Sequence, residues 1–185
     1  MISTERLLLR RWTDADREPF AAMNADPVVT EHLQGPRPRD QSDAFVDRIE
    51  RHWDEHGWGL WAVEVPGVAP FVGYVGLWPA PVVAEGAVEV GWRLAAEHWG
   101  NGYATEAARE ALRFGFEEVN LDEIVSFTVP QNVRSRQVMQ RIGLVRDPAG
   151  DFQHPGVDPV HYPHLVAHVL YRLSREAWDA RPFRE

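Results

Sequence analysis

The 185-residue chain has no cysteine. That excludes disulfides, thiolate-bound metals, iron–sulfur clusters and a cysteine nucleophile. It has no lysine either, because all 19 basic side chains are arginine. Schiff-base chemistry is excluded with it, with or without pyridoxal phosphate. Long apolar runs are missing too, and nothing approaches the ~18 residues that suggest a membrane span. At the start, Leu7, Leu8 and Leu9 are followed at once by Arg10 and Arg11, too short a core for a signal peptide. A cytoplasmic protein with no membrane partner is expected. Positive charge is scarce as well. With a net charge of −9, no basic face for nucleic acid is expected.

What is present fits one domain spanning residues 1–185. A chain of this size buries roughly 70% of the surface it exposes when unfolded, so it needs no staple. Residues 5–12 alternate as a strand does, and Thr13 with Asp16 gives a helix-start signal for a helix ending near Asn24. A short helix over 26–33 and a two-proline loop follow. Asp40 is placed to cap a helix carrying Phe45, Ile49, Trp53 and His56 on one face. Strand-like runs over 58–65 and 71–78 read as a hairpin. A strand over 87–94 runs through a Gly100-Asn101-Gly102 turn into a helix over 103–119. The apolar face of that helix is small: Ala104, Ala108, Ala111, Leu112, Gly115 and Val119. A strand over 124–129, a helix over 131–142 and a last strand over 165–173 complete the pattern. The expected fold is α/β, with about seven strands in a mostly antiparallel mixed sheet and helices on both faces.

Two glycines at a helix start invite a ligand. Helix N-termini carry unpaired N–H groups and about half a positive charge. Gly100 and Gly102 remove the side chains that would hold an anion away. A tight strand–helix turn without a ligand explains the same pair, and the glycines alone leave both readings open. A Walker loop needs a lysine, so that reading fails. A dinucleotide fingerprint fails too, because Thr105 occupies its third glycine position and the next strand does not end in an acid.

Four segments in register decide further. "WGNGYATEA" (99–107) resembles the coenzyme A pyrophosphate loop of the GNAT acetyltransferases, and its tryptophan resembles the RimJ/RimL-like branch. "TERLLLRRW", "EVGWRL" and "NVRSRQVMQRIGL" are similar to that branch's opening strand, fourth strand and post-loop helix. The resemblance covers about 4–173, leaving 174–185 as a tail. It implies a sheet splayed between the fourth and fifth strands, with a bulge near Gly91. Acetyl-CoA would then be the cosubstrate, held by Trp92, Arg93, Leu94, Trp99, Gly100, Asn101, Gly102, Tyr103, Ala104, Thr105, Asn132 and Arg134. Within that set, the 100–105 amides would meet the pyrophosphate and the backbone of Trp92 and Leu94 the pantetheine. A strand N–H near Trp92 would face the thioester oxygen, and Ser135 would donate to the departing thiolate.

The resemblance makes Glu89 the base for an amine acceptor. An edge salt bridge with an arginine is the alternative for Glu89, and helix capping that for Asn132. Arg134, Arg136, Arg141 and Arg146 form a basic run read as solvated charge or as a ribose-phosphate contact. Trp58, Trp61 and Trp78 are expected near the acceptor cleft. His154, His161, His164 and His168 lie in or beside a proline-broken loop that fixes no ligand geometry, so no metal is expected. The implied activity is direct acetyl transfer to a primary amine, either a peptide N-terminus or a small amine such as an antibiotic or polyamine. A non-catalytic acyl-CoA-binding module is the third reading. The oligomeric state is expected to be monomer or homodimer.

Overall fold

The computed structural model describes residues 1–181. Its strands are β1 (Ile2–Ser3), β2 (Leu8–Arg10), β3 (Leu60–Val65), β4 (Ala69–Pro79), β5 (Val88–Leu94), β6 (Glu123–Thr128), β7 (Val145–Gln153) and β8 (Ala167–Ser174). Its α-helices are α1 (Arg17–Ala25), α2 (Arg39–His56), α3 (Tyr103–Glu117), α4 (Val133–Arg141) and α5 (Arg175–Asp179). The eight strands form one sheet in the order β1-β2-β3-β4-β5-β6-β8-β7. Every neighbouring pair is antiparallel except β5–β6.

Helices cover both faces. On one, α3 and α4 press Ala108, Ala111, Leu112, Phe116, Met139 and Ile142 onto Val75, Leu77, Val90 and Ile124. On the other, α1 and α2 bring Phe20, Met23, Val46 and Ile49 against Leu60, Ala62, Phe71 and Tyr74. Fully burying one such aliphatic side chain contributes about 1.5–3 kcal/mol, so these two layers anchor the sheet from both sides. No helix among the described residues is long and apolar enough to cross a membrane.

The sheet has eight strands against the expected seven or so; β1 and β7 are the two outside the six runs read from the sequence, and β7 carries no strand pattern. Its run Val145-Arg-Asp-Pro-Ala-Gly-Asp-Phe-Gln153 is polar and broken by proline and glycine, and it pairs with β8 around a register shift between Asp147 and Phe152. The expected helix over 26–33 is a series of turns instead. Pro27 sits at its start, and the Asp26 carboxylate takes the Val28 N–H, an alternative to helical bonding. Helix α2 begins one residue before Asp40 and follows Pro38 rather than an acidic cap. The tail contains α5, and residues 182–185 lie outside the described residues.

Candidate active site

Strand β5 is paired with β4 along its whole length, from Gly73↔Leu94 to Pro79↔Val88. Strand β6 is likewise paired with β8 over six positions. Between β5 and β6 there is a single register position, Glu89↔Val125. Each strand follows the twist of its own antiparallel partner, so the two diverge past Glu89. The expected bulge near Gly91 is absent, since the β4–β5 register runs unbroken through Gly76↔Gly91. The gap therefore comes from divergence of two sub-sheets and not from a kink in β5. It opens into a cavity of about 810 Å³ reached from both faces of the sheet.

The glycine turn closes one end. Gly100 and Gly102 have φ of 80° and 83°, in the left-handed region, and Gly102 is the N-cap of α3. Only glycine takes that conformation without strain. The turn is braced from behind. Trp99 Nε1 donates to the Leu94 carbonyl (2.8 Å), Asn101 Nδ2 donates to the His98 carbonyl (3.1 Å), and Arg6 Nη1 donates to the Asn101 carbonyl (2.9 Å). Arg6 is itself held by Glu106 in the first turn of α3, whose two oxygens accept from Arg6 Nε, Arg6 N and Thr4 Oγ1. Burial pushes the Glu106 carboxyl up, but these bonds outweigh it and hold it below its ordinary value. With the carbonyls tied back, the leading N–H groups of α3 are left for a ligand.

Most of the expected cofactor residues gather here. Trp92, Trp99, Gly100, Gly102, Tyr103, Ala104, Thr105, Asn132, Arg134 and Ser135 all line the cavity. Leu94 lines it too, with its carbonyl accepting from Trp99 Nε1 and its side chain in the core. Asn101 is not among the lining residues, and its amide braces the turn. Arg93 lines the cavity, but its side chain lies on the opposite face of β5 from Trp92, where Nη1 donates to Asn24 Oδ1 (2.6 Å) and the guanidinium lies over Tyr74.

On the far wall, Asn132 caps α4 by accepting from Ser135 N (3.2 Å), and its amide donates to Thr128 Oγ1. The capping reading holds, and it fixes Ser135 at the cavity wall. The Ser135 hydroxyl has no partner among the described residues. The arginine run splits by role. Arg136 and Arg146 serve the structure, through Pro130 O and Tyr171 for the first and Asp151 for the second. Arg134 stacks on Trp99 at 4.4 Å and pairs with Glu31 at 3.1 Å, tying α4 to the glycine turn.

Glu89 is at the vertex of the gap and lines it. It has no ion pair or side-chain hydrogen bond among the described residues, so the edge salt bridge is not formed. Dense packing around it desolvates the carboxylate and raises its pKa from an ordinary 4.5 to about 8. It still touches the cavity, being only partly shielded. A carboxyl tuned to neutral pH inside a cleft is the environment of a proton-transfer group.

Of the hairpin tryptophans, only Trp78 lines the cavity. Trp61 is 1% exposed and packs edge-on to Phe114, and Trp58 meets His52 edge to face. The four histidines do not gather in one place. His154 and His168 meet at a tilt beside Phe127 on the cavity wall, whereas His161 pairs with Asp158. Sequence reasoning missed Arg37, Phe45, Tyr74 and Thr128 as lining residues. None stands in a motif, and only the folded sheet brings them to the gap.

Residues 6–145 match the family described as Acetyltransferase (GNAT) domain. The chain is 30% identical over 196 residues to FsC-acetyl coenzyme A-N(2)-transacetylase of Aspergillus fumigatus, covering 96% of this chain and 77% of that protein. It superposes on the crystal structure of an acetyltransferase from Agrobacterium tumefaciens with a TM-score of 0.76 at 29% identity, covering 93% and 92% of the two chains. A Bacillus anthracis acetyltransferase of the same family gives 0.78 at 27% identity, with 95% and 98% covered. The chain belongs to the GNAT family and is an acetyl-CoA-dependent N-acetyltransferase.

Proposed function

We propose that the enzyme acetylates a primary amine, and specifically the α-amine of a peptide or protein N-terminus, by direct attack within a ternary complex. The RimJ/RimL-like motifs, with Trp99 leading the glycine turn, support this acceptor. The observation that carries the chemistry is Glu89, an unpaired carboxyl tuned to about pH 8 at the vertex of the gap.

The residues present fit acetyl-CoA. A side chain added at Gly100 would point into open space, so the glycine there serves backbone conformation and approach and not packing. The braced turn offers helix N–H groups to a diphosphate where lysine is unavailable, and past Glu89 the β6-facing edge of β5 has no strand paired to it. Acetyl-CoA supplies an acyl group already activated as a thioester. This chain's own work is then threefold. The turn and α4 position the donor. Backbone N–H groups of β5 face the site where negative charge develops, each worth roughly 3–4 kcal/mol in such sites. Glu89 accepts the amine proton, and the free Ser135 hydroxyl is in place to donate to a leaving sulfur.

Free α-amines have pKa about 7.7–8.0 and lysine amines about 10.4. A base near 8 is matched to the first and poorly to the second, and this favours a terminal amine. A panel of peptides, amino acids, aminoglycosides and polyamines, with thiol release as readout, tests the proposal. Acetylation of peptide N-termini above all other classes is expected, and preference for a polyamine or an antibiotic would overturn it.

A further inference from the structure

The acceptor-side floor of the cleft has a repeating plan. On the face covered by α1 and α2, three register pairs of β4 and β5 follow one another: Trp78 opposite Glu89, Gly76 opposite Gly91, and Tyr74 opposite Arg93. The middle pair is bare backbone. A side chain added at Gly91 would meet nothing nearer than the Glu89 carboxyl, 4.0 Å away. At Gly76 the Gly59 carbonyl fills the side-chain position, so the open stretch lies at Gly91, with a carboxyl at one end and a guanidinium at the other. At about 3.4 Å per residue, their Cα atoms are about 13–14 Å apart.

Arg93 is not alone. Arg37, from the loop before α2, lines the same cavity, and its backbone N–H donates to the carbonyl of Asn24 while Arg93 donates to that residue's side chain. The Arg37 side chain has no hydrogen-bond or acidic partner among the described residues. Burial, and then the neighbouring Arg93 charge, push its pKa down, although a guanidinium stays charged at any working pH. Arg48, stacked on Phe45, adds a third positive charge felt at Arg37. Among the described residues no carboxylate pairs with any of the three. In a chain of net charge −9, where most arginines on this face hold an Asp or Glu, that is a deliberate gap in charge pairing. A partly desolvated cation without an anion is less favourable than one to which a ligand supplies an anion.

We infer that Arg37 and Arg93 form the anion subsite of the acceptor, so that the enzyme's substrate is an amine bearing a carboxylate or phosphate several bonds away. The amine meets Glu89, the chain crosses the open stretch at Gly91, and the anionic group is gripped by two guanidinium forks. This rests on the acetyltransfer reading and narrows it: acidic peptide starts are accepted, and polyamines are disfavoured by charge.

The test compares matched probes by thiol release: glycylglycine against its C-terminal amide, O-phosphoethanolamine against ethanolamine, and 1,6-diaminohexane as the cationic control. An advantage in kcat/KM of at least tenfold is expected for the anionic member of a pair, and which pair shows it separates carboxylate from phosphate. Arg37→Gln has no side-chain partner to lose and should fold. It is expected to bring the ratio near one, as is Arg93→Gln. Equal use of both members, a preference for the diamine, or a ratio untouched by either substitution would overturn the subsite. Calorimetry on the CoA-loaded enzyme separates the two levels of inference. Turnover without preference sinks the subsite and leaves acetyl transfer standing. Anion-selective binding without turnover of any amine supports the subsite and sinks the proposed reaction. No binding and no turnover sinks the subsite.

Discussion

Glu89 and Val125 form the one register pair that joins β5 to β6, so the sheet separates at the residue carrying the cleft's unpaired carboxyl. At that vertex β4, β5 and β6 lie side by side, and the packing around Glu89 is also what raises its pKa to about 8. Site geometry and proton affinity thus have one cause.

That cause has a cost in stability, with a defined sign. In the unfolded chain Glu89 ionises near its ordinary 4.5, and in the folded protein near 8. Between those values the folded state holds a proton that the unfolded state has lost, so stability falls as pH rises, and above 8 the full penalty applies. Glu89→Gln removes it. The full distance between the two values corresponds to about 5 kcal/mol, and contact with cleft water reduces it. A gain of about 1–3 kcal/mol is therefore expected at pH 9, shrinking towards zero near pH 4.5. Denaturant melts across that range would show it. A difference between wild type and variant that does not change with pH would refute the burial account.

The glycine turn should be intolerant of side chains for a reason separate from space. At Gly102 a β-carbon would approach Arg6 Nη2 at 3.3 Å, and the φ of 83° is strained for any L side chain. Gly102→Val is expected to weaken acetyl-CoA binding tenfold or more, about 1.4 kcal/mol, because it rotates the leading N–H groups of α3 and crowds the anion. Calorimetry on a variant that still melts cooperatively checks this, and unchanged affinity would remove the turn from the binding site.

Legibility followed locality. The turn, the small-residue face of α3, Asn132 as a cap and Glu89 on its strand were readable because each depends on neighbours within a few residues. Placement across elements was not. Trp61 and Trp78 lie on adjacent hairpin strands, but they face opposite sides of the sheet, and the register Trp61↔Val75 with alternation along β4 decides which. Arg37 lies in the two-proline loop, and only its bond to Asn24 brings it beside Arg93. Strand β7 is held by β8 and by Asp147–Arg172 and Asp151–Arg146 pairs, contacts that no periodicity records.

Glu106 shows a role that a motif match conceals. It makes no appearance on the cavity wall, yet it orients Arg6, which ties back the Asn101 carbonyl. Charge-assisted bonds of this kind contribute about 1.5–3 kcal/mol when shielded, and Arg6 is 45% exposed, so about 1 kcal/mol of stability is expected to be lost in Glu106→Ala. Acetyl-CoA affinity should fall several-fold as the turn loosens. Lost stability with full affinity, read from melts and calorimetry on one preparation, would make Glu106 an anchor for β1 and β2 alone.

The sharpest test concerns the proton on the acceptor amine. In the free enzyme the Glu89 carboxylate becomes populated as pH rises through about 8. An ammonium arriving beside it favours the charged form and so extends its working range downward. Glu89→Gln should therefore lose most at pH 7, by roughly 10²–10⁴ in kcat/KM, the range for general acid–base catalysis. The loss should shrink as the amine deprotonates by itself. For an α-amine that recovery comes near pH ~8, and for a lysine-type amine only near ~10. Rate–pH profiles of wild type and variant on one peptide N-terminus and one lysine side-chain acceptor read base and acceptor together. Convergence near 8 on the peptide fits both assignments. Parallel profiles at every pH would make Glu89 a structural carboxyl and leave the proton to water held by the strand carbonyls of β5.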